Sequence, residues 1–81
     1  MKLSEIKQIL IDNGMQYKNQ DSLHKFWGVI KGYNIILILD ENNTDKIGYA
    51  MTESSNELSE DNIKYISFDL GMSFAKNFLK L

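Results

Sequence analysis

The sequence predicts a small α+β domain, an αβββα arrangement in which N- and C-terminal helices pack on an antiparallel sheet of three to four strands. Three observations predict it. Apolar residues recur at helical spacing at both ends of the chain, and the middle carries strand-length apolar or alternating stretches. The connections between those stretches are short and rich in Gly, Asn, Asp and Ser. At 81 residues the chain makes one domain, 1–81.

The first helix is expected from about Leu3 to Asn13. Leu3, Ile6, Ile9 and Leu10 share one face, and Gly14 follows where a left-handed residue ends a helix. Met15 to Asn19 reads as a short or irregular strand. Lys25 to Lys31 and Asn34 to Asp40 read as two strands joined near Gly32. Lys46 to Thr52 makes a further strand after the Asn42-Asn43-Thr44-Asp45 turn. Such short connections favour antiparallel hairpins. The last element is expected to be a long helix from about Ser59 to Leu81. Ser59 offers a cap, Glu60 and Asp61 suit the positive end of the helix dipole, and Lys76 and Lys80 suit the other. Gly71 falls in its middle, where glycine costs about 1 kcal/mol against alanine. It marks close packing, a bend or a split.

The expected C-terminal helix carries two apolar stripes. At about 100° per residue, Ile63, Ile66, Leu70, Phe74, Phe78 and Leu81 fall on one face. Tyr65, Phe68, Met72, Ala75 and Leu79 fall nearly opposite. A surface helix needs one such stripe, so a helix with two must be covered twice. The strand Ile35 to Leu39 is apolar on both faces, whereas a sheet with one wet face alternates. The longer stripe is assigned to the core. The other, Tyr65, Phe68, Met72, Ala75 and Leu79, is assigned to a partner together with Tyr33, which stands beside the turn glycine. Trp27 is read as core. The far face of the sheet is a further candidate interface.

Composition narrows the function classes. There is no cysteine and a single histidine, which excludes disulfides, cysteine zinc sites and His-rich metal centres. Stability in so short a chain then rests on oligomerisation or a very good core. Nine basic residues against eleven acidic ones give a net charge of −2 and a pI near 5.2. Direct nucleic-acid binding is disfavoured by that balance. The N-terminus lacks the pattern of a signal peptide, and the longest apolar run, Ile35 to Leu39, is far short of a membrane span. A cytoplasmic location is expected, and no cofactor.

The acids Asp40, Glu41 and Asp45 flank a hairpin loop without the spacing of a calcium-binding loop. Glu53, Glu57, Glu60 and Asp61 form a second acidic stretch, which serves loop solvation and helix capping. His24 stands in Asp21-Ser22-Leu23-His24-Lys25. A triad is a matter of geometry, and residues so close in sequence need not converge. It is read as a solvated loop histidine without a catalytic role.

Ser4-Glu5-Ile6-Lys7-Gln8-Ile9-Leu10, Asn13-Gly14 and Ser22-Leu23-His24-Lys25-Phe26 together resemble the N-terminal part of HicA toxins, small RNases of bacterial toxin–antitoxin pairs. The resemblance covers about the first third of the chain. It implies a helix, three strands and a helix, with a catalytic histidine after the first strand. In that family a glycine commonly precedes the serine and two histidines follow it. Here Asp21, Leu23 and His24 hold those positions, so only His24 carries over. The family's later stretch, with a proline and a further histidine, is replaced by Ile36-Leu37-Ile38-Leu39-Asp40. Two function classes follow. The first is a non-enzymatic interaction or inhibitor protein, of the Asn-, Ile- and Lys-rich style of phages and other mobile elements. It would bind a protein partner, itself as a homodimer through the C-terminal helix, or both. The second is an RNase toxin using His24.

Overall fold

The computed structural model describes residues 3–79. In chain order the elements are α1 (Leu3–Asp12), β1 (Gln16–Gln20), β2 (Leu23–Ile30), β3 (Tyr33–Asp40), β4 (Asn43–Glu53), a 3-10 turn (Glu60–Asn62), β5 (Lys64–Ser67) and α2 (Phe68–Leu79). The strands form one antiparallel sheet in the order β1-β2-β3-β4-β5, with helices at the two ends of the chain. The α+β class and its terminal helices are as expected; the sheet has five strands, not three or four.

Local chemistry explains the meander. Gly14 ends α1 with φ +91°, and the amide of Met15 turns back to the Leu10 carbonyl at 3.1 Å. The β2–β3 turn is Lys31-Gly32, with φ of +52° and +83°. Two positive φ values match the primed turns that suit the twist of a hairpin. The β3–β4 turn is tighter than expected, because β4 already begins at Asn43. Asp40 Oδ1 accepts from the Asn42 amide at 2.9 Å and closes that corner through its side chain.

Register sorts the side chains onto two faces. On one, Phe26 pairs with Tyr17 and Leu37, Leu37 with Tyr49, and Ile47 with Leu39 and Ile66. This face forms the core with Ile6 and Leu10 of α1, and Phe68, Met72 and Phe78 pack against it from α2. Phe26, Leu10 and Ile47 are its most deeply buried members.

The far face carries Ile36 and Ile38. The β4–β5 connection, residues 54–63, crosses it. Asn34 Nδ2 donates to the Asn56 carbonyl at 2.8 Å, Lys25 pairs with Glu60 at 3.1 Å, and Ile63 lies against Gly48. Ile38, whose neighbours in register are Lys25 and Gly48, is buried. Part of the apolar excess of β3 is therefore absorbed within the domain.

The C-terminal helix is shorter than expected. Ser59 is a cap, its Oγ accepting from the Asp61 amide at 3.1 Å, but it caps only the three-residue 3-10 turn. Lys64-Tyr65-Ile66-Ser67 then pairs with β4. Tyr and Ile are strand formers, and β4 offered them a free edge. The helix starts at Phe68, where Ser67 Oγ accepts from the Leu70 amide at 3.3 Å and serves as its cap.

Candidate functional site

The shortened helix changes which stripe faces the sheet. Gly71 is buried, and a Cβ built on it would collide with Ile47 Cγ2. The helix thus sits on Ile47 at the one position without a side chain. Phe68, Met72 and Ala75 flank that contact point and are half-buried, with Phe68 and Met72 packed on the core. Leu70 and Phe74 are turned outward, at 60% and 45% exposure. Part of each expected stripe is therefore exchanged, while Ile66 and Phe78 pack on the core as expected. Phe68, Met72 and Ala75, assigned to a partner, face inward; Leu70 and Phe74, assigned to the core, face outward. The reason is Gly71, which sets the angle of the helix about its own axis.

The remaining predicted partner residues do not form one surface. Tyr65 is on β5, is well exposed, and belongs to the far face beside Gly48. Leu79 ends α2, and its side chain lies outside the described residues, as does Leu81. Tyr33 is exposed as expected, and it joins the outward flank of α2. Its ring meets Phe78 edge-on at 6.0 Å, and Phe78 stacks on Phe74 at 5.8 Å. Leu70 stands one helical turn before Phe74. These four residues make a continuous ridge from the start of α2 to the β2–β3 turn.

Lys31 fixes one end of the ridge. Its Nζ donates to the Phe78 carbonyl and lies 5.2 Å from the centre of the Phe78 ring. A cation at the C-terminal end of a helix complements the helix dipole, and one over a ring face gains a further attraction. The ridge is thus held by contacts within the domain, with an apolar surface left open to solvent. Patches of this kind mark interaction sites on small soluble domains. The sequence carried a signal for it in the spacing of Leu70, Phe74 and Phe78; the facing of the helix was the missing piece.

The histidine is placed differently from expectation. His24 lies on β2, on the core face, and is 7% exposed. Tyr17 Oη is 2.6 Å from its Nδ1, and Glu41 Oε1 is 2.5 Å from its Nε2. An ionised carboxylate only accepts, so Nε2–H donates to Glu41. In the neutral imidazole Nδ1 then accepts from the Tyr17 hydroxyl. Asn19 Nδ2 is 3.5 Å from Nε2, but it is spent on the carbonyls of Asp21 and Leu23, each at 3.1 Å. The group ties β1, β2 and the β3–β4 turn together, with both ring nitrogens occupied. Asp21 and Ser22 form the hairpin turn; the Ser22 carbonyl accepts from the Glu41 amide at 2.9 Å, but neither side chain joins His24. The burial follows from register: His24 pairs with Leu39 and stands two residues from Phe26 on the same face.

His24→Ala would leave the Tyr17 hydroxyl and the Glu41 carboxylate without this partner. His24 is the buried member of this part-buried set, and deleting it costs about 1–3 kcal/mol. The expected result in urea unfolding is a loss of that size. A loss under about 0.5 kcal/mol, typical of a surface change, would refute the structural role.

No family model, curated protein or solved structure matches the chain. Among the described residues, no helix is long and apolar enough to cross a membrane.

Proposed function

We propose that the chain is a non-enzymatic protein-interaction domain that acts in the cytoplasm and pairs with a second copy of itself through the outer flank of α2. The observation that carries this reading is the ridge Leu70–Phe74–Phe78–Tyr33, in which two large apolar side chains stand about half exposed on an otherwise ordered element. Residues four apart on a helix interlock with an antiparallel neighbour. In a twofold pair centred on Phe74, the two Phe74 rings meet, and each Leu70 faces the partner's end of the ridge. Symmetry buries every residue twice. Full burial of one large apolar side chain is worth roughly 1.5–3 kcal/mol, so the ridge offsets part of the cost of association. The pairing would also support a chain with little core to spare.

The His24 geometry supports the non-enzymatic side of the reading. A general base needs a ring nitrogen within reach of substrate, and both nitrogens of His24 are committed. That commitment weighs against an RNase that uses His24.

The test is sedimentation of the wild-type protein at micromolar concentration beside Leu70→Lys with Phe74→Lys. The expected result is a wild-type dimer and a folded monomeric variant, since both side chains already face solvent. A compact wild-type monomer would overturn self-pairing and leave the ridge to a foreign protein partner.

A further inference from the structure

A second surface lies at the opposite edge of the sheet from β5. Strand β1 is first in the sheet order, and among the described residues no strand lies beyond it. The outward N–H and C=O groups of such an edge are a template for another chain. This edge is cationic on both sides. Lys18 projects from the far face and is exposed; it pairs in register with Lys25. Lys25 is neutralised by Glu60 at 3.1 Å, whereas Lys18 has no ion pair among the described residues. On the helix face, Lys7 Nζ stands 4.3 Å from the centre of the Tyr17 ring, on the same edge strand. Beside the edge, a groove of about 670 Å³ opens on the far face, lined by Gln16, Trp27, Ile36 and Leu58 among others. Its own charges balance, Lys18 and Lys25 against Glu57 and Glu60, and of the two lysines the one left unpaired among the described residues is Lys18 on the edge strand itself. Trp27, expected in the core, is instead a half-buried member of this groove.

We propose that β1 takes up an extended acidic segment of another protein as a further strand of the sheet. Backbone hydrogen bonds along β1 would supply affinity, and alternate side chains would supply specificity. An acidic side chain opposite Lys18 gains a favourable cross-strand pair. A neighbouring apolar side chain on the same face lies beside Gln16, at the rim of the groove that holds Trp27. Charge disfavours a second copy as occupant. Lys18 is the middle residue of Gln16–Gln20, so twofold antiparallel pairing of β1 with itself sets Lys18 against Lys18. Like charges directly opposite are destabilising, and a lysine at the centre of an edge is a known guard against self-pairing. This site is separate from the α2 ridge and does not depend on it.

Trp27 is the one tryptophan in the chain, so its emission reports the site without a label. The probe is an end-capped peptide, Thr-Leu-Thr-Glu-Thr-Leu-Thr, compared with the same peptide carrying Lys at its centre. The expected result is a saturable change in Trp27 emission with the Glu peptide, with at least tenfold weaker binding of the Lys peptide. Amide exchange along β1 should slow with the Glu peptide bound. Lys18→Glu, a change at an exposed side chain, should reverse the preference. Equal binding of the two peptides, no response at millimolar peptide, unchanged β1 exchange, or an order of preference kept in Lys18→Glu would each overturn the proposal. So would Trp27 emission that varies with protein concentration in the absence of peptide and loses that dependence in Lys18→Glu, which would place a second copy at the edge. The Leu70→Lys, Phe74→Lys variant should bind the Glu peptide as the wild type does, which separates this site from self-pairing.

Discussion

Phe26→Ala is expected to cost about 3–5 kcal/mol, the range for truncating a fully buried aromatic. Phe26 is completely shielded from solvent. It sits at the centre of the core face, paired with Tyr17 on one side and Leu37 on the other. Its ring lies 5.0 Å from that of Tyr17, which in turn holds His24. The cavity would open between three strands whose hydrogen-bonded spacing resists collapse, so little of the loss is recovered by relaxation. Domains of this size have a total stability of only about 5–15 kcal/mol. The variant should therefore be unfolded, or folded only marginally, in circular dichroism and urea titration. A loss below about 1.5 kcal/mol would show that the core is not organised around this residue.

Gly71→Val is the second large effect, and its sign runs against helix propensity. At an exposed mid-helix site, replacing glycine by alanine stabilises by about 1 kcal/mol. At Gly71 the new Cβ meets Ile47 Cγ2 well inside contact distance. Ile47 is 1% exposed and branched at Cβ, so its χ1 is restricted and the packed core leaves it little room to swing away. Either the strand or the whole of α2 must move. Overpacking of this kind costs about 1–3 kcal/mol, and valine, larger than alanine, should fall at the upper end. Gly71→Ala should also destabilise, while Ser73→Ala on the exposed side of the same helix should be neutral or slightly stabilising. If Gly71→Ala raised the melting temperature as much as Ser73→Ala, the close approach of α2 to Ile47 would be refuted. Lifting α2 would also reorient the ridge, so Gly71→Val is expected to weaken self-pairing as well as stability.

The two helix stripes show where sequence reasoning stopped. Their spacing holds within residues 68–79: Phe68 and Met72 pack on the core, and Leu70 and Phe74 stand exposed on the other side. Which stripe faced the sheet depended on a contact between Gly71 and Ile47, residues 24 positions apart, that no periodicity contains. The expected helix also reaches back to Ser59, whereas α2 begins at Phe68. Ile63, Tyr65 and Ile66 fit a helical phase by spacing alone, but Tyr65 and Ile66 pair with the open edge of β4, where their strand propensity prevails. Ser67 before Phe68-Asp69 was an available cap signal, and Ser59 before Glu60-Asp61 masked it.

His24 illustrates the same limit in the candidate site. Its neighbours in sequence, Asp21 and Ser22, suggested a solvated loop, and they do form the turn. Its partners, Tyr17 and Glu41, are brought to it by hairpin register and by the next turn, so the sequence around His24 contains no trace of them.

By itself the sequence determined the α+β class, the first helix and its glycine stop, the central hairpins, and the surplus of apolar surface. These follow from local periodicity and turn chemistry, which act over a few residues and survive without knowledge of the rest of the chain. Only the tertiary structure decided the fifth strand, the facing of α2, the burial of His24, and the cationic edge of β1 beside its groove. Each of those depends on an energetic choice between surfaces distant in sequence: a free strand edge filled, a methyl group admitting only glycine, a hairpin register that turns one residue inward and the next one out.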